Sequence, residues 1–158
     1  MGTIQIDGST PKLTIGNATA EDATILYDGN AKDFYIALDD SADKLVIGEG
    51  STVGTNNILT ITDDTVTLGD GAAVDTKIVF DGNAQDFYIA LDDSADDLLI
   101  GLGSTVGTTP AIAIDENLKV NIPVTTASTS ASTGSLTTGG GAGIGADLYV
   151  GDDVYLIT

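Results

Sequence analysis

The sequence predicts an all-β protein built of linear tandem repeats, and three observations carry that expectation. The stretch Asp28 to Thr55, DGNAKDFYIALDDSADKLVIGEGSTVGT, recurs as Asp81 to Thr108, DGNAQDFYIALDDSADDLLIGLGSTVGT, so the chain is a tandem repeat with a period of 53 residues. Only four of the 28 aligned positions differ: Lys32/Gln85, Lys44/Asp97, Val46/Leu99 and Glu49/Leu102. Apolar and polar residues alternate in short runs bounded by Gly, Asp and Asn, the pattern of strands and tight turns. Helix caps and long runs of 3.6-residue periodicity are absent, while Thr and β-branched residues are abundant.

Taken in order, Thr3 to Ile6 alternates, Asp7 to Pro11 forms a turn, and Lys12 to Ile15 alternates again, which reads as a hairpin. The same pattern returns as Leu59 to Thr62, Asp63-Asp64 and Thr65 to Leu68, and again as Ile112 to Ile114, Asp115 to Asn117 and Leu118 to Val120. Within each repeat, Ile25 to Tyr27 (Ile78 to Phe80) leads through Asp-Gly-Asn into Asp33 to Leu38 (Asp86 to Leu91). Asp-Gly between two apolar runs predicts a hairpin, the glycine supplying a positive φ. A third strand, Lys44 to Ile47 (Asp97 to Ile100), precedes a glycine-marked loop.

These elements divide the chain into a first β module over 1–57, a second over 58–110 and a partial third over 111–124. A Ser/Thr/Gly-rich linker or neck follows over 125–146, and a terminal β-hairpin over 147–158. In Phe34 to Leu38 the pleat sets Phe34, Ile36 and Leu38 on one face and Tyr35 with Ala37 on the other. For Phe34, Tyr35, Phe87 and Tyr88, core and interface packing is the favoured reading over an exposed ligand platform.

Short strands in linear succession and only 5% aromatic residues leave a single copy with too little core. Two solutions fit: an intertwined homotrimer of β-helix or β-prism type, and, as the alternative, a single-chain β-solenoid. A 53-residue period exceeds the roughly 20–45 residues of ordinary solenoid repeats, which favours the trimer. The residues expected to line the shared interior are Ile25, Phe34, Ile36, Leu38, Leu45 and Ile47, with Ile78, Phe87, Ile89, Leu91, Leu98 and Ile100.

Charge and residue inventory narrow the function. Twenty-four Asp and Glu against five Lys give a net charge of −19, a surface that repels nucleic acid phosphate and anionic membrane. That acidity also keeps a long β protein soluble and discourages edge-to-edge association. With no His and no Cys, Ser-His, Cys-His and His-metal arrangements are absent, as are disulfides. No run approaches the length of a membrane span, and MGTIQIDGSTPKLTIG lacks the basic and apolar regions of a secretory signal.

Asp39, Asp40 and Asp43, with Asp92, Asp93 and Asp96, are the place where a carboxylate pair for glycoside hydrolysis or a calcium site would lie. Solvated turn formers are the favoured reading, because a structural turn recurs with every module. No cofactor is expected, calcium being the one candidate. Gly141 to Ala146 satisfies G-x-G-x-x-[GA], but it follows a Ser/Thr run rather than a strand and leaves no room for a βαβ unit.

The C-terminal TTASTSASTGSLTTGGGAGIGADLYVGDDVYL, together with the repeated DFYIALDDSADKLVIGEGSTVG, resembles the fibre proteins of tailed bacteriophages of the marine type. Gly140 to Gly151 matches the glycine-rich GGxGIGxxLxVGG of that family, with Asp152 in place of the second glycine. The resemblance implies an elongated homotrimer on a virion, assembled in the bacterial cytoplasm. Its partners would be itself, other virion proteins and a host surface glycan or receptor. It implies a structural, non-enzymatic role in host attachment. A tailspike-type polysaccharide depolymerase and a self-assembling extracellular filament or adhesin are the alternatives.

Overall fold

The computed structural model describes residues 12–151 and Val154. The chain is all-β: two antiparallel sheets of five strands each, with a single 3-10 turn as its only helical element among the described residues. The first sheet holds β1 (Ala23–Tyr27), β2 (Phe34–Asp39), β3 (Lys44–Glu49), β4 (Asn57–Ile61) and β5 (Val66–Leu68). The second holds β6 (Thr76–Phe80), β7 (Phe87–Asp92), β8 (Asp97–Leu102), β9 (Pro110–Ile114) and β10 (Val120–Asn121). Each is a meander in which every strand pairs with its neighbour in sequence. A solenoid would instead pair strands of successive turns, and no such pairing occurs among the described residues.

The two expected hairpins of each repeat are present, β1 with β2 and β4 with β5, and the structure adds a third, β2 with β3; all three are mirrored in the second sheet. Counted by pairing, the units are 23–68 and 76–121, the same period in a different phase. The strands β4 and β5, which open the 58–110 frame in sequence, complete the first sheet, and the partial module 111–124 completes the second.

The glycine of the Asp-Gly turn has a different role from the one expected. Gly29 and Gly82 are not among the glycines with positive φ. A Cβ on either would lie 2.3 Å from the carbonyl oxygen of Lys32 or Gln85, so glycine is required by close approach within the loop. The loop is closed by Asp33, whose Oδ1 accepts from Gly29 N at 2.9 Å, and by Asp86 in the same way.

Lys12 to Ile15 and Asp147 to Val150 carry the alternation but form no strand with any described residue. In the tail Leu148 stands exposed and Tyr149 is 93% exposed. The partner strand Thr3 to Ile6, the turn Asp7 to Pro11 and the remainder of the terminal hairpin lie outside the described residues, Val154 excepted. Residues 125–146 form no helix or strand, in keeping with a linker composition, and no helix opens after Gly141 to Ala146. No helix among the described residues is long and apolar enough to cross a membrane.

Candidate functional site

Each sheet has two chemically different faces, and the described residues cover only one. On the covered face, Tyr35, Ala37 and Val46 are buried with Val53 packed against them. In the second sheet Tyr88, Ala90 and Leu99 are buried beneath Val106 and Ala113. The cover is the β3–β4 connection, which turns back through positive-φ Gly50 and Gly54. Gly48, directly opposite Tyr35 in the ladder, leaves room for the phenol ring to lie flat across β3.

The opposite face is a continuous apolar surface. Cross-strand register aligns Ile25, Ile36, Ile47, Leu59 and Leu68 in one row across the first sheet. Ala23, Leu38, Leu45, Ile61 and Val66 form the next. The second sheet aligns Ile78, Ile89, Ile100 and Ile112, then Thr76, Leu91, Leu98, Ile114 and Val120. All twelve residues expected to line a shared interior lie on these two faces. In the single chain most of them stand open, Phe34 at 42% and Phe87 at 53% exposure, so neither face covers the other.

The open side chains of the two faces together expose on the order of 1,500 Å², roughly half of it on each sheet, taking about 150–250 Å² for a fully exposed aromatic side chain and somewhat less for an aliphatic one. A typical monomer's largest apolar patch is about 300–600 Å², and one partner's share of a standard interface is about 800 Å². Each face is thus at or above the upper end of what a monomer ordinarily leaves exposed.

The two faces differ at one end. In the first sheet the third row is Tyr27, Phe34 and Glu49, and Lys32 Nζ lies 2.7 Å from Glu49 Oε1. In the second it is Phe80, Phe87 and Leu102, with Gln85 at the position of Lys32. Two of the four differences between the repeats thus form one ion pair, replaced by an apolar residue and an amide.

No family model, curated protein or solved structure matches the chain.

The acidic clusters serve the turns between β2 and β3. Asp39 Oδ1 accepts from Ser41 Oγ at 2.9 Å and Ala42 N at 3.2 Å, capping the 3-10 turn Asp40–Ala42. Asp43 and Asp96 take the left-handed conformation at φ 52° and 56°, which Asp tolerates better than most residues. Asp40 and Asp93 are tethered through their backbone N–H groups to Asp22 and Asp75. Asp92 Oδ1 accepts from Ser94 N and Oγ. Among the described residues, no three His, Cys, Asp or Glu side chains converge into a group able to hold a metal ion.

The two buried tyrosines differ in a way the alignment of repeats exposes. Tyr35 Oη donates to Thr55 O at 2.8 Å and lies 2.7 Å from Asn57 Oδ1. Burial, with the Asp39 carboxylate adding, raises its phenol pKa, so it is a proton donor throughout the neutral range. At the equivalent of Asn57 the second sheet carries Pro110, and the buried Tyr88 hydroxyl has no partner among the described residues. Tyr35→Phe is accordingly expected to cost about 1–2 kcal/mol, since it strands the groups its hydroxyl satisfies. Tyr88→Phe is expected to be neutral or stabilising, because it removes an unpaired buried hydroxyl. Urea denaturation of both variants checks this, and equal losses would refute it.

Proposed function

We propose that this chain is a structural shaft segment of a bacteriophage virion fibre, spacing or presenting host-recognition elements. It assembles as an intertwined homotrimer of β-prism type. The observation that carries this reading is the pair of open apolar sheet faces, repeated at a 53-residue period on a chain of net charge −19. Three such faces turned toward an axis enclose their apolar rows, and the acidic loops and turns then form the outside. Succession of the module lengthens the rod without new chemistry, so its product is reach and multivalent display.

In this reading the assembly forms in the bacterial cytoplasm and resides on the virion, joined to other virion proteins and directed at a host surface glycan or receptor. It is not an enzyme, and the carboxylates at 39–43 and 92–96 shape turns. The resemblance of the glycine-rich tail and of the repeated segment to phage fibres supports the virion assignment. Light scattering with negative-stain electron microscopy tests it: the expected result is a rod with the mass of three 15.9 kDa chains. A mass of two chains would replace the prism with a face-to-face sandwich. A cooperatively folded particle of one chain would end the proposal.

A further inference from the structure

Two nearly identical sheets in one chain create an ambiguity of register. If the open face of the first sheet were interchangeable with that of the second, copies could associate displaced by one repeat. Each displaced copy would leave a sheet free for another, and an open filament would grow in place of a closed rod. The structure contains a difference suited to prevent this. The end row of the second sheet is wholly apolar, Phe80, Phe87 and Leu102, whereas that of the first ends in Glu49 held by Lys32.

We infer that the Lys32–Glu49 pair is a register key: it directs each copy of this chain to associate in register with other copies, like sheet against like sheet. This rests on the proposed shared interior and adds the identity and alignment of the partner surface. In register, three Glu49–Lys32 pairs stand together at the rim of the first sheets. There each carboxylate keeps its ammonium and its water, while the Phe80, Phe87 and Leu102 rows close on one another. Displaced by one repeat, the Phe80, Phe87 and Leu102 row of one copy meets the ion pair of another. The ion pair then loses hydration to an apolar surface that offers no hydrogen bond in return. The unfavourable contact, more than any attraction, selects the register.

The absence of native cysteine makes the alignment directly readable. Chains carrying Ile36→Cys and chains carrying Ile89→Cys are mixed unfolded, refolded together and treated with a short bis-maleimide. Ile36 and Ile89 occupy equivalent positions in the middle rows of the two sheets. The expected result is cross-linking between like positions in about tenfold excess or more over 36-to-89 links. The same pair of substitutions is then placed on a Lys32→Gln/Glu49→Leu background. The second sheet already folds with Gln85 and Leu102 there, so this background is expected to fold. It is expected to show 36-to-89 links approaching the frequency of like links, with staggered filaments in micrographs.

Equal frequencies in the unaltered background, or no gain of 36-to-89 links in the Lys32→Gln/Glu49→Leu background, would overturn the register key while leaving a multimeric mass in place. A mass of one chain would remove the shared interior itself and the register key with it.

Discussion

Gly48→Ala is expected to destabilise the first sheet by about 3 kcal/mol or more, and Gly101→Ala the second by a similar amount. Neither glycine has a positive φ, so the backbone conformation itself would accept alanine. The obstacle is the tyrosine lying across it. A Cβ at Gly48 would stand 2.3 Å from Tyr35 Oη and 2.4 Å from Cζ, and one at Gly101 would stand 2.4 Å from both atoms in Tyr88. The rings have nowhere to go: both tyrosines are 0% exposed, and Tyr35 is tied to Thr55 and Asn57. At Gly101 the new methyl would also meet Thr109 O at 2.8 Å. Loss of far-ultraviolet dichroism in urea measures the effect. Combining Gly48→Ala with Tyr35→Val provides the internal check, because a steric cause requires the double variant to lose less than the sum of the two. A loss under about 1 kcal/mol for Gly48→Ala alone would mean that the ring can move aside.

Ile36→Asp combined with Ile89→Asp is expected to reduce the assembly to single chains. In the isolated chain both positions lie on the open face, Ile36 partly and Ile89 substantially exposed, so an aspartate there keeps its water. Substitutions at such places ordinarily change stability by no more than about 0.5 kcal/mol. Between copies the same carboxylates would gather among Ile25, Ile47, Ile78 and Ile100 with no cation near, a cost of several kcal/mol for each buried charge. Light scattering on the folded variant reads the outcome, with Ile36→Val/Ile89→Val as the control that keeps the face apolar and the assembly intact. An unchanged mass in the aspartate variant would place the interface elsewhere.

Much of the local structure was legible before any coordinates. Period-two alternation marked the strands of both sheets, and β1–β2 pairing followed from Asp-Gly between two apolar runs, whereas the pairing of β2 with β3 did not. Lys12 to Ile15 and Asp147 to Val150 alternate as well as β5 does, yet alternation supplies a face and not a ladder partner, and the strands expected to pair with them lie outside the described residues. Gly29 was legible as obligatory, but the reason lay in the path of the chain three residues on, where the Lys32 carbonyl passes close to it. The open apolar face was legible as a set of residues. That the chain leaves this set open depends on where the β3–β4 loop travels.

From the sequence alone came the 53-residue module, its strands, its turns and the separation of two faces by the pleat. These are local properties, written in the spacing of neighbouring residues. Which face the chain would seal was decided by tertiary structure. Both faces carry apolar residues, and the choice turns on a loop through Gly50 and Gly54 that brings Val53 over Tyr35. The register that sets Gly48 opposite Tyr35 makes that choice possible, since only there can a phenol ring lie flat against the neighbouring strand. With the tyrosine face closed from within, the isoleucine and leucine rows are left on the open face.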